Sequence, residues 1–142
     1  TFHKDLRRAR NSLISIIPTS TGAARAVGEV LPNLKGKIDG SAIRVPTPNV
    51  SLVDFKFFSE KMTTKEQIVQ IFKEAETNDF KSIIETVSEP MVSGDFNHNP
   101  HSSIVDLSEI AVIENNFCRI LSWYDNEWGF SNRLIDVVKQ IN

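Results

Sequence analysis

With 142 residues, 40% of them hydrophobic and 24% charged, the chain is long enough for one domain with its own core. A formal net charge of -2 excludes a basic field for nucleic acid, and the apolar runs are too short to span a membrane. The single cysteine excludes an internal disulfide and points to a reducing, intracellular setting.

The opening, Thr1-Phe2-His3-Lys4-Asp5-Leu6-Arg7-Arg8, has neither an initiator methionine nor an apolar signal core, so the expectation is the interior of a longer chain. A basic cluster, Arg7, Arg8 and Arg10, precedes an apolar run through Leu13, Ile14, Ile16 and Ile17 that Pro18 should end. From Gly22 to about Leu34, Val27, Val30, Leu31 and Leu34 recur at helical spacing. Ser41 to Val45 reads as extended, and Pro46-Thr47-Pro48 forces a bend. From Asn49 to Phe57, Val53, Phe55 and Phe57 alternate with Asp54 and Lys56, the period of a strand. Thr63-Thr64-Lys65-Glu66 fits a capping box with Glu66 reaching back, and the helix behind it should place Ile68, Ile71, Phe72 and Ala75 on one face. A strand is expected near Ile83 to Val87, then polar loops around Asp95 to Pro100. Ile110 to Glu114 and Phe117 to Tyr124 read as a hairpin turning at Asn115-Asn116. A last helix carries Leu134, Val137, Val138 and Ile141 on one side. Three helices and five or more strands, clustered in hairpins, give an α+β class with a mixed, largely antiparallel sheet.

Ser20-Thr21-Gly22-Ala23-Ala24 stands where a helix begins, a position whose free N–H groups attract anions. On these residues alone a plain N-cap is the stronger reading. Arg44, in Arg44-Val45-Pro46-Thr47-Pro48-Asn49-Val50-Ser51, could be aimed at a phosphate as a rigid fork, against a slightly favoured alternative of a surface arginine. Cys118 lies within a strand and reads as a small buried hydrophobe. His98-Asn99-Pro100-His101 has no cysteine near it and is read as loop rather than metal site. Asp54, Asp95 and Asp106 show no partner in the sequence and are assigned no acid–base pair. Both tryptophans and the only tyrosine fall in Ser122-Trp123-Tyr124-Asp125-Asn126-Glu127-Trp128-Gly129-Phe130-Ser131-Asn132-Arg133, a density of polar handles that is costly to bury without a purpose.

Taken in order, five segments resemble the catalytic, C-terminal domain of phosphorylating glyceraldehyde-3-phosphate dehydrogenases. They are Asp5 to Arg10, Ile16 to Ala24, Arg44 to Ser51, Pro100 to Ser103, and Ser122 to Arg133, which together span essentially the whole chain. The resemblance implies a sheet of about eight strands with three helices packed on one face, and a homotetramer in the full-length enzyme. It implies that residues 1–142 are that domain, incomplete at the N-terminus, with the dinucleotide-binding domain absent. It implies that Thr21 and the Gly22 backbone bind attacking inorganic phosphate. Arg44 would be the main guanidinium for the phosphate of glyceraldehyde 3-phosphate, with Arg8 assisting, and Asn126 would orient the nicotinamide of NAD. Residues 1 to about 14 would end the loop that lines the cofactor pocket and subunit contacts.

The family's nucleophilic cysteine sits in a Ser-Cys-Thr-Thr-Asn motif and its general-base histidine in a later segment. Neither is matched by Cys118 or His3, so the isolated chain is expected to be inactive. Phe130 stands where the family usually has tyrosine. The competing expectation is a non-catalytic binding or oligomerisation domain of the same fold, with neither nucleic-acid nor membrane partners in either case.

Overall fold

The computed structural model describes residues 2–141, and they divide between Pro48 and Asn49 into two compact units. In the first unit, β1 (Ile17–Ser20) pairs antiparallel with β2 (Ser41–Arg44), in a register that sets Ile17 opposite Arg44 and Ser20 opposite Ser41. Pro18 lies inside β1 instead of ending the apolar run. A proline has no N–H to donate, and a strand with a ladder on one side only can accommodate that loss. Helix α1 (Ala23–Val30) follows, and Pro32–Leu34 forms a separate 3-10 turn where one continuous helix was expected. The turn begins at Pro32, whose ring would clash with the preceding turn of an α-helix.

The second unit is built on a four-stranded sheet in the order β3 (Ser51–Phe58), β6 (Phe117–Tyr124), β5 (Ser103–Ile113), β4 (Ile84–Val87). The β3–β6 and β6–β5 pairs are antiparallel and β4–β5 is parallel. The mixed α+β class therefore holds. The single sheet of about eight strands does not: the described residues form six strands in two sheets, of two and four.

The sheet has a core on each face. On one, helix α2 (Lys65–Thr77) lays Ile68, Val69 and Phe72 against Val105, Leu107, Ile110 and Cys118. On the other, Val50, Val87, Phe96 and Ile104 cluster, with Trp123 stacked on Phe96 at 5.4 Å. Helix α2 covers only part of its face. Val53, Phe55 and Ile120 line an open groove of about 540 Å³ beside Phe72. In helix α3 (Asn126–Ile141), the predicted stripe is not packed inward: Leu134, Val137 and Ile141 are 53%, 51% and 79% exposed. Three helices on one sheet face are thus not what the described residues show.

Several boundaries move by one residue for local reasons. The capping box uses Thr64 and Gln67, not Glu66: Thr64 Oγ1 accepts from the Gln67 N–H, and the Thr64 N–H donates to Gln67 Oε1. Ile68 and Phe72 face the core as expected, while Ile71 is exposed and Val69 packs beside them. The β5–β6 turn places Glu114 and Asn115 at positive φ, one residue earlier than expected. Carbonyls of Asn115 and Asn116 accept from the N–H groups of Thr63 and Ser59, which fastens the turn to the start of α2. The three aspartates without evident partners all have them. Asp54 pairs with Lys56 and Arg119, Asp95 accepts from the Val92 N–H, and Asp106 accepts from Ser108 and Glu109 at the irregularity in β5.

Candidate functional site

In the first unit the chain leaves β1 at Ser20 and enters α1 two residues later. Gly22 is the N-cap, with φ of -86° and no side-chain cap, so the first N–H groups of α1 are largely unclaimed. The Thr21 hydroxyl takes only one of them, accepting from the Ala23 N–H at 3.2 Å. A Cβ built on Gly22 would meet nothing within 4 Å, so the approach to this end of the helix is open. Arg8 reaches the same place: its Nη2 donates to the Ser20 carbonyl at 2.9 Å, while Nε lies 3.5 Å from Asp5 Oδ2. A guanidinium, a hydroxyl and free N–H groups thus converge at the end of β1, an arrangement suited to an anion.

Arg44 stands elsewhere in this unit. It ends β2 opposite Ile17, four residues back along β1 from Thr21, which at strand spacing is about 13 Å along the ribbon. The sequence reading paired Arg8 with Arg44. The hydrogen bond to Ser20 places Arg8 with Thr21 and Gly22 instead. A second recess, lined by Arg7, Arg10, Ser15 and Ile16 to Pro18, lies at the start of β1.

In the second unit Asn126 is the first residue of α3, and its surroundings form a connected polar network. Asp125, 2% exposed, caps the helix: Oδ1 accepts from the N–H groups of Glu127 and Trp128 at 3.1 and 2.8 Å. Its Oδ2 accepts from Asn49 Nδ2 and from the His98 N–H, both at 2.9 Å. Burial alone would raise the Asp125 carboxyl. The N–H groups of Trp128 and His98, the Asn49 amide and the Glu127 N–H together outweigh burial and hold it below the ordinary carboxylate value. The Ser51 hydroxyl donates to Asn126 Oδ1 at 2.8 Å. Between Asn49 and Ser51, Val50 is buried with φ of 69°, a conformation a β-branched residue adopts only where its surroundings force it. Gly129, one turn into α3, faces the His101 carbonyl so closely that a Cβ would lie 3.1 Å from its oxygen.

Sequence reasoning singled out Asn126 but missed Asp125, Asn49 and Ser51 around it. Asp125 carried a readable signal, an aspartate directly before a helix. Asn49 and Ser51 carried none, because their partners are 76 and 75 residues away. Cys118 is 0% exposed, consistent with a core residue. Phe130, on α3, is 64% exposed. Among the described residues no group of three or more His, Cys, Asp or Glu could hold a metal ion, and no helix is long and apolar enough to cross a membrane.

Comparison with known proteins matches residues 1–126 to the family model described as glyceraldehyde 3-phosphate dehydrogenase, C-terminal domain. The glyceraldehyde-3-phosphate dehydrogenase of Zymomonas mobilis is 56% identical over 141 residues, covering 99% of this chain and 42% of the relative. The enzyme of that name from Xanthobacter flavus is 56% identical over 136 residues, covering 96% and 41%. Glyceraldehyde-3-phosphate dehydrogenase 2 of Staphylococcus aureus is 55% identical over 139 residues, covering 98% and 40%. The chain spans about two fifths of the length of the curated relatives it matches.

Proposed function

Because the chain belongs to the glyceraldehyde 3-phosphate dehydrogenase C-terminal domain family, we propose that it supplies the phosphate-binding and nicotinamide-orienting residues of an NAD-dependent, phosphorylating dehydrogenase. In the overall reaction the aldehyde of glyceraldehyde 3-phosphate loses a hydride, and inorganic phosphate takes up the acyl group as 1,3-bisphosphoglycerate. NAD, when bound, accepts the hydride. Asn126 fits the carboxamide of its nicotinamide, since the Asn126 amide is exposed and its Nδ2 has no partner among the described residues.

The observation that carries the reading is the convergence of Arg8, Thr21 and the open N-terminus of α1 at the end of β1. There Arg8 and the N–H groups neutralise and orient inorganic phosphate, so that attack on the acyl group is positioned rather than random. Gly22 contributes by having no side chain at the approach. Arg44, about 13 Å along the strand, holds the phosphate carried by the substrate, and two separated cations suit a reaction with two phosphates. The nucleophilic thiol and the general base come from outside these residues. Cytoplasmic location and a homotetramer complete the proposal, on the strength of the family.

The test is steady-state kinetics of the intact protein that carries this sequence. Thr21→Ala and Arg8→Ala should each raise KM for inorganic phosphate, by about 3- to 100-fold for the loss of a hydroxyl or a charged donor, and leave KM for NAD unchanged. Unchanged phosphate KM in both variants would leave the chain as an assembly domain without a phosphate role.

A further inference from the structure

We propose that Asp5 is a positioning residue for the phosphate site, holding the Arg8 guanidinium in place at the end of β1. The inference rests on the role for Arg8 proposed above. A long arginine side chain loses rotamer freedom when it takes hold of an anion, and a guanidinium already held loses less. Arg8 is exposed, and its hydrogen bond from Nη2 to the Ser20 carbonyl, at 2.9 Å, would by itself let the group swivel. Asp5 supplies a second contact, with Oδ2 3.5 Å from Arg8 Nε. Nε and Nη2 share one edge of the planar group, so two contacts there fix its plane. Nη1 has no partner among the described residues and is left for a phosphate oxygen.

Asp5 is itself tied to the turn from which Arg8 projects. Its Oδ1 accepts from the Arg7 N–H at 2.9 Å, which leaves Oδ2 to Arg8. The Asp5 carbonyl accepts from the Ala9 N–H at 3.1 Å, and the Asp5 N–H donates to His3 Nδ1 at 3.0 Å. The Arg10 N–H donates to the Arg7 carbonyl and closes the turn. On charge alone a carboxylate beside an anion site opposes the anion. The pairing with Arg8 reverses that effect, because what the anion loses in charge it regains in a guanidinium that needs no further ordering.

The experiment is steady-state kinetics on the intact protein carrying this sequence. Asp5→Asn keeps an acceptor for the Arg7 N–H but sets a neutral amide against Arg8 Nε. It should raise KM for inorganic phosphate about 2- to 5-fold, the scale of an exposed ion pair. The values of kcat and of KM for NAD and for the aldehyde should not move. Asp5→Ala, which also removes the acceptor for Arg7, should raise phosphate KM at least as far. Asp5→Asn added to Arg8→Ala should raise it no further than Arg8→Ala alone, because the contact acts only through Arg8. If Arg8→Ala raises phosphate KM and Asp5→Asn does not, the role of Asp5 is refuted and that of Arg8 stands. If Asp5→Asn lowers phosphate KM, the carboxylate merely opposes the anion and the inference is wrong. Independent, additive effects of the two substitutions, or an equal rise in KM for NAD and aldehyde, would show that Asp5 acts through the fold and overturn it as well. If Arg8→Ala leaves phosphate KM unchanged, the reading of Arg8 fails and takes this inference with it.

Discussion

Asp125 is the residue on which the second unit's site depends. It is nearly inaccessible yet makes four hydrogen bonds as an acceptor, two to the first N–H groups of α3 and two to segments distant in sequence. Asp125→Asn preserves shape and an acceptor for the helix, but places an NH₂ group against the His98 N–H and the Asn49 amide. The cost should be about 2–4 kcal/mol, since buried donors then face donors. Because its folded pKa is depressed, the stabilisation from the carboxylate is complete above the unfolded value of about 3.9. It is lost as pH falls through the lower, folded value. Chemical denaturation should therefore show the gap between wild type and Asp125→Asn narrowing below about pH 4, and a constant gap down to pH 2 would contradict this assignment. Gly22 makes the opposite prediction. With φ of -86° and open space around it, Gly22→Ala should change stability by no more than about 0.5 kcal/mol. It should nonetheless raise KM for phosphate, because the methyl group occupies the approach to the α1 N–H groups. A variant that melts early with phosphate KM unchanged would reverse that account.

Among the elements, α2 combines a local cap with a packed face. The Thr64–Gln67 box fixes where the helix starts, and Ile68, Val69 and Phe72 form its inward face while Ile71 points outward. Thr64→Ala should cost about 1 kcal/mol through the lost cap. Ile68→Ala should cost about 2–5 kcal/mol through the cavity left against Val105 and Cys118, a difference that urea unfolding resolves. The strands divide between those legible in sequence and those not. β3 was readable because Val53, Phe55 and Phe57 alternate with polar residues, and β6 because turns bound it on both sides. The first half of β5 was not. Ile104, Val105, Asp106 and Leu107 are all buried, one core on each face of the sheet, so no alternation exists to be read. The hairpin turn was misplaced because a glutamate, Glu114, takes a positive φ against its own preference, next to Asn115 and Asn116, whose carbonyls are tied to the β3–α2 connection.

At the scale of the whole molecule, large apolar side chains stand exposed in groups among the described residues. The stripe Leu134, Val137 and Ile141 on α3 and the groove at Val53, Phe55 and Ile120 both face outward. The isolated chain should bind an environment-sensitive apolar dye in its folded state, and Leu134→Lys with Val137→Lys should reduce the signal. Dye fluorescence no greater than that of an ordinary folded control would show these faces to be covered. The isolated chain should also fail to reduce NAD with aldehyde and phosphate present, since its one thiol, Cys118, is 0% exposed. The polar sites were legible only in part: Thr21, Gly22, Arg44 and Asn126 stand in ordered motifs, whereas the pairing of Arg8 with Ser20 and of Ser51 with Asn126 depends on folding. The central claim is that this chain carries the phosphate recognition of a phosphorylating aldehyde dehydrogenase. It is tested most directly by kcat/KM of Arg44→Ala in the intact protein, compared between glyceraldehyde 3-phosphate and unphosphorylated glyceraldehyde. A fall of about 10- to 100-fold for the phosphorylated substrate alone is predicted from the loss of a charged hydrogen-bond donor, and equal values for wild type and variant on that substrate would contradict the claim.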